Sequence, residues 1–227
     1  MKNCLLFLAV VAVMAVAGPA YSQYVYLDVD GDGLNYDREV ANGNNGLNPD
    51  VLSAGTTSID VWFVTNQHAD GSVAECDEDP SRMMTLGSYE AALRYSGSGT
   101  VTFNGWTDAL GFTFGIITAG DGTFVTGGTD TWFGRGSAPP GLSPGAYKVG
   151  SVSVTVTGTP TVNFITNSSL SGNAQTAFGS NCDGARFDNT IRLGPGIPDY
   201  DFDESFGTTA PTPTVKSTWG KIKTLYH

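Results

Sequence analysis

The chain has 227 residues and carries 22 Asp and Glu against 11 Lys and Arg, for a net charge of −11. This acidic balance speaks against a nucleic-acid partner, which needs a basic footprint, and suits an exterior rich in cations that neutralise clustered carboxylates. The length accommodates one sizeable domain with appendages.

The first segment, residues 1–22, reads as a signal peptide. Lys2 supplies a short basic start and Leu5 to Ala17 an apolar run. Ala20-Tyr-Ser22 places small residues at the −3 and −1 positions of a cleavage site, so cleavage is expected after Ser22. The apolar run is too short for a membrane span, and no other stretch of the chain is a candidate, so no transmembrane span is expected. The product is expected outside the cell, secreted or at the cell surface.

Residues 23–56 form a calcium-loop segment. Asp28-Val-Asp30-Gly-Asp32-Gly-Leu34-Asn-Tyr36-Asp-Arg-Glu39 fits D-x-[DN]-x-[DN]-G-x5-E at every constrained position. A hard cation such as Ca2+ takes about six to eight oxygens. Asp28, Asp30 and Asp32 supply side-chain oxygens, Leu34 a backbone carbonyl, Tyr36, its neighbour Asp37 or a water the next vertex, and Glu39 a bidentate carboxylate. Gly33 permits the turn around the ion. Ca2+ is the expected cofactor. Beyond the loop, Asn42-Gly-Asn-Asn-Gly46 and Asn48-Pro49-Asp50 are turn-rich, so 24–50 is expected to bury little and to depend on metal or on the next domain for order.

From residue 57 the texture becomes that of strands. Ile59, Val61 and Phe63 alternate with Asp60 and Trp62, and Tyr89, Ala91, Leu93 and Tyr95 with Glu90 and Arg94. Val101 and Phe103, then Phe112, Phe114 and Ile116, and Phe124-Val125 continue the pattern. Tyr147 and Val149 lead into Val152, Val154 and Val156, and Val162 with Phe164 makes the last clear strand. Turns are expected at Gly97-Ser-Gly99, Gly120-Asp-Gly122, Gly127-Gly128 and Gly158-Thr-Pro160. Seven or more short strands with almost no helical periodicity predict an all-β domain over 57–192, a β-sandwich of Greek-key or jelly-roll kind. Once the signal is removed, Cys76 and Cys182 remain. In an oxidising compartment they most simply form a disulfide, two free thiols being the alternative.

Residues 193–215 read as an acidic, Pro/Thr-rich linker. Residues 216–227 form a basic and aromatic tail in which Trp219, Ile222, Leu225 and Tyr226 share one face of a short helix, with Lys221 and Lys223 off it. Such a tail suits contact with sorting machinery, an anionic surface or a partner groove, or docking back on the sandwich.

The Asp28–Glu39 stretch, followed by Gly43-Asn-Asn-Gly-Leu-Asn48-Pro-Asp50, resembles the calcium loops of bacterial thrombospondin type 3 repeats, and those of dockerin and EF-hand modules. Tyr36 departs from the acid or small polar residue usual there, and a single loop departs from the paired loops of dockerins. Residues 57–166 resemble cohesin-type jelly-roll domains through Ser58-Ile-Asp-Val-Trp-Phe-Val64, Tyr89-Glu-Ala-Ala-Leu-Arg-Tyr95 and Gly145-Ala-Tyr-Lys-Val-Gly-Ser-Val-Ser-Val-Thr-Val156. The resemblance implies an extracellular scaffold or adhesion module with a protein or polysaccharide partner, not an enzyme.

Two other functions are open. A carbohydrate-binding module would use Trp62, Trp106 and Trp132 as a sugar-stacking platform. A glycan-active enzyme would need a carboxylate pair such as Asp60 with Glu90. No nucleophile elbow, HExxH or phosphate loop is present, and His68 and His227 are the only histidines. No catalytic residue is therefore assigned.

Overall fold

A computed structural model describes residues 23–76, 81, 83–115, 124–138, 140–166, 168, 170, 174–180, 189–193, 201–202 and 204–211. The expected signal peptide, Cys182 and the tail with Trp219, Lys221, Lys223 and Tyr226 lie outside these residues.

The described elements are β1 Tyr24–Asp28, α1 Tyr36–Ala41, β2 Ser58–Val64, β3 Ser88–Asp108, β4 Phe114–Gly115, β5 Phe124–Gly127, β6 Asp130–Gly136, β7 Ala146–Phe164, β8 Ala177–Ser180, β9 Asn189–Leu193, β10 Asp201–Phe202 and β11 Glu204–Phe206. Pairing runs β10-β9-β8-β3-β7-β2-β1-β11, with β6 also on β3, and β4 and β5 on β6. The fold is an all-β sandwich, as the alternating pattern predicts.

One continuous ribbon makes both layers. β3 and β7 pair antiparallel from Leu93↔Phe164 to Asp108↔Gly150. Tyr89 and Trp106 belong to the same strand, and a straight strand would hold them more than about 50 Å apart. Their ring centroids are 6.0 Å apart, so the strand folds back over itself. Trp106 stacks on Phe133 at 4.0 Å, although Phe133 pairs with Ala91 in the other half of β3. The ribbon turns where Gly97, Gly99 and Gly158 take positive φ. A Cβ on Gly99 would meet the Thr157 carbonyl oxygen at 2.0 Å, and one on Gly158 the Ser98 carbonyl oxygen at 2.5 Å. Only glycine lets the two backbones approach so closely.

Between the layers lies a core drawn from both ends of the chain. Val25 and Leu27 of β1, Ile59, Val61 and Phe63 of β2, Tyr89 and Leu93 of β3, Phe133 of β6 and Phe178 of β8 are buried in one cluster. Phe63 meets Tyr89 at 6.0 Å and Phe178 at 6.3 Å, both from strands that do not neighbour β2. Burying a side chain of this size contributes roughly 1.5–3 kcal/mol.

Several expectations are corrected here. Gly97-Ser-Gly99 and Gly158-Thr-Pro160 are bends inside continuous strands, because each segment stays paired with the other through the bend. Residues 23–56 bury a full strand, with all five residues of β1 inside, and Leu52 joins the main core. The segment is thus built into the sandwich. The expected linker contains β11, which pairs parallel to β1 from Tyr24↔Glu204 to Tyr26↔Phe206. β6, β8 and β9 fall where no strand was expected, because their short runs lack a long alternation.

Candidate metal centre

The loop begins where β1 ends. Asp28 is 1% exposed, and its Oδ1 accepts from Gly31 N at 2.7 Å while its Oδ2 accepts from Gly33 N at 2.9 Å. Asp30 Oδ1 accepts from Asp32 N at 3.2 Å, and Asp32 Oδ1 from Leu34 N at 2.8 Å. Gly31 and Gly33 supply the left-handed backbone, at φ 81° and 82°, that turns these amides inward. One carboxylate oxygen from each of Asp28, Asp30 and Asp32 lies within 4.8 Å of the others. Burial, followed by the charges of Asp60 and Asp32, pushes the Asp28 carboxyl above its ordinary range, against the lowering effect of the Gly31 and Gly33 amides. Three carboxylates at this spacing repel one another, and a hard divalent cation relieves that repulsion while accepting their oxygens. These three carboxylates are donors of the kind a hard cation such as Ca2+ takes, which needs further oxygens beside them.

The loop is braced from four directions. Asp50, 2% exposed, accepts from Val29 N at 2.8 Å with Oδ1 and from Tyr36 N at 2.9 Å with Oδ2. It thereby spans the loop's entrance and exit, and burial pushes its carboxyl up to about 6. Tyr26 donates its hydroxyl to the Gly33 carbonyl at 2.7 Å and stacks on Trp62 with centroids 5.7 Å apart. Asn35, 1% exposed, caps α1 by accepting from Arg38 N at 3.2 Å. Its amide nitrogen donates to the carbonyls of Leu27 at 2.8 Å and Gly207 at 3.0 Å. Finally, Thr209 N donates to the Asp50 carbonyl at 2.9 Å, so the segment after β11 closes over the back of the loop.

Glu39 stands elsewhere in the described arrangement. It pairs with the Arg38 guanidinium and accepts from Asn44 Nδ2 at 3.4 Å, and the described carboxylate cluster is formed by Asp28, Asp30 and Asp32. Leu34 and Tyr36 flank the capping Asn35, within the turn that leads into α1.

Asn35, Tyr26 and Thr209 were not singled out as site residues by the sequence reading. An Asn directly before the acidic helix start Tyr36-Asp-Arg-Glu39 is a cap signal that identifies Asn35. Asp50 closes the Asn48-Pro-Asp50 stretch of the calcium-repeat resemblance. Nothing local marks Tyr26 or Thr209.

The three tryptophans do not form one platform. Trp132 is 5% exposed and donates Nε1 to Glu90 Oε2 at 3.0 Å. Trp106 packs against the main core through Phe133. Trp62 packs in a second cluster with Tyr24, Tyr26 and Phe206, and the loop backbone at Gly33 lies over its ring. The loop thus partly covers Trp62 on the outward face of β2, where Ser58 stays exposed. The suggested carboxylate pair is also separately engaged. Asp60 accepts from Lys148 Nζ and from Ser151 Oγ, and Glu90 accepts from Trp132 and from Gln175 Nε2 at 2.8 Å. Cys76 is fully buried. Among the described residues, no helix is long and apolar enough to cross a membrane.

No protein-family model matches the chain, and no curated protein matches it. Among solved structures, the seventh ScaB type I cohesin from Pseudobacteroides cellulosolvens is similar at 12% identity, over 86% of this chain and 96% of that one, with a TM-score of 0.38. At that distance the likeness adds nothing to what the strand pairing already shows.

Proposed function

We propose that this chain is an exported, non-catalytic β-sandwich module, stabilised by one Ca2+ ion and acting in extracellular or cell-surface interaction. The observation that carries the metal part is the Asp28, Asp30 and Asp32 carboxylate cluster within 4.8 Å, held on a buried aromatic base by Tyr26 and Trp62. In this reading Leu34 and Tyr36 add backbone oxygens, and Glu39 exchanges Arg38 for the ion. Calcium then clamps the entry strand β1 to the closing segment 204–209, because Asn35 contacts both and Asp50 ties the loop at Val29 and Tyr36 to Thr209. Export follows from the signal segment with cleavage after Ser22, and a Cys76–Cys182 disulfide would suit the same compartment.

A scaffold role draws support from how the described carboxylates of the sandwich are used. Asp60, Glu90 and Asp130 are each held by donors of neighbouring strands, and Asp108 by Tyr89 of the folded-back half of its own strand and by Phe112 N of the following loop, an arrangement that braces a fold. The partner class is an extracellular protein or polysaccharide, and the tail 216–227 is the proposed contact for sorting machinery or an anionic surface.

The test is calorimetric titration with Ca2+ of chelator-treated protein, paired with thermal melts in Ca2+ and in EGTA. A single site and a higher melting temperature in Ca2+ are expected. Heat-silent titration with superimposable melts would end the calcium reading.

A further inference from the structure

Gln23 immediately precedes β1 and is 1% exposed. Strand alternation places it on the same face as Val25 and Leu27, which belong to the main core. Both polar atoms of its carboxamide, Oε1 and Nε2, are buried with no hydrogen-bond partner. A buried polar side chain without a partner is rare and calls for a chemical reason.

The position supplies one. Cleavage after Ser22 makes Gln23 the first residue of the exported chain, so this inference rests on the export reading above. A new α-ammonium would then stand beside a fully buried side chain, where a charge is costlier than an amide. The α-amine has a pKa of roughly 8, so a useful fraction is neutral and nucleophilic at physiological pH. It reaches its own Cδ through a five-membered ring. No hydrogen bond restrains the carboxamide from turning toward it.

We infer that Gln23 is a modification site: in the mature protein it closes to pyroglutamate. The α-nitrogen attacks Cδ, the N–Cδ bond forms and the Cδ–Nε2 bond breaks. Nε2 leaves as ammonia, carrying the proton that the attacking amine gives up. No oxidant, reductant or cofactor is consumed. The lactam keeps one carbonyl and one N–H, and it eliminates both the ammonium charge and the unpartnered NH2 group. In the uncleaved chain the same nitrogen is a peptide nitrogen and cannot attack, so the ring reports processing as well as burial.

The test is mass spectrometry of the N-terminal peptide of the full chain recovered after export, with Edman degradation of the intact protein. The expected result is a peptide beginning at residue 23, lighter than its linear form by one ammonia, and resistant to Edman degradation until a pyroglutamyl peptidase is added. A linear Gln23 with a free amine overturns the inference and leaves the export reading standing. A peptide beginning at any other residue overturns the inference together with cleavage after Ser22. A second measurement isolates the role of burial. Protein released in vitro with a linear Gln23, by cutting a removable leader after residue 22, should gain melting temperature in step with the cyclised fraction. A melting temperature that does not move with cyclisation overturns the claim that the buried setting favours the ring.

Discussion

Asn35 and Gly207 stand 172 residues apart in the chain and are joined by a 3.0 Å hydrogen bond from the Asn35 amide to the Gly207 carbonyl. The same amide nitrogen holds Leu27 O at 2.8 Å, and the side-chain oxygen caps α1. One buried side chain therefore connects the end of β1, the loop exit and the closing segment.

Asn35→Ala removes a helix cap and leaves the buried Leu27 carbonyl and the half-buried Gly207 carbonyl without that donor, a loss of roughly 2–4 kcal/mol. Asn35→Asp keeps the cap acceptor but sets a buried carboxylate oxygen against the Leu27 and Gly207 carbonyls, so it should be at least as destabilising as Asn35→Ala in denaturant melts at neutral pH. Hydrogen exchange should accelerate in residues 204–209 as well as in the loop. Exchange unchanged in 204–209 would show that Asn35 does not couple the two.

Asp30→Asn and Asp32→Asn test the ion without disturbing the core, since both residues are exposed. In EGTA these variants should melt at or slightly above the wild type, because removing one charge relieves repulsion. In Ca2+ they should lose the gain that the wild type shows. At a ligand concentration 100 times the Kd that gain is about 2.7 kcal/mol. Equal melts of variant and wild type in Ca2+ would remove these carboxylates from the site.

Parts of this architecture are legible in the sequence for a physical reason. The spacing of Asp28, Asp30 and Asp32 is local chemistry, readable within twelve positions, and the alternation of Ile59, Val61 and Phe63 reports one buried face. Other parts depend on distant partners. Gly97-Ser-Gly99 has the same composition in a turn and in a folded strand, and only pairing with Gly158 to Pro160 decides between them. Glu204–Phe206 is too short and acidic to announce a strand, yet it pairs with β1. Trp62 alternates outward from the main core and packs against Tyr26 and the backbone at Gly33, partners that its own strand does not encode.

The bend of the β3–β7 ribbon makes a sharp contrast between glycines. Gly99→Ala places a Cβ 2.0 Å from the Thr157 oxygen, so backbone must shift on both strands, and a loss of more than about 3 kcal/mol or failure to fold is expected. Gly31→Ala has positive φ but nothing within 4 Å, and should cost only about 1 kcal/mol in EGTA. Comparable melting temperatures for the two variants would rule out the close approach at Gly99.

Asp130 sets an acid limit on the fold. Its carboxylate takes Arg94 Nε at 2.7 Å and Nη2 at 2.8 Å, with Ser168 Oγ at 2.8 Å and Thr129 Oγ1 at 2.9 Å. The Arg94 bonds, and then those from Ser168 and Thr129, hold its carboxyl down to about 2 against the opposing effect of burial. The unfolded carboxyl titrates near about 3.9. A depressed acid contributes stability that is present above the unfolded value and is lost as pH falls through about 4 toward about 2. Asp130→Asn should therefore destabilise the protein by roughly 2 kcal/mol at neutral pH, measured in EGTA so that metal loss does not intervene. The gap between wild type and variant should close as pH approaches 2. A gap that stays constant from pH 7 to pH 2 would mean that Asp130 acts through packing alone, with no charge-assisted contribution from Arg94.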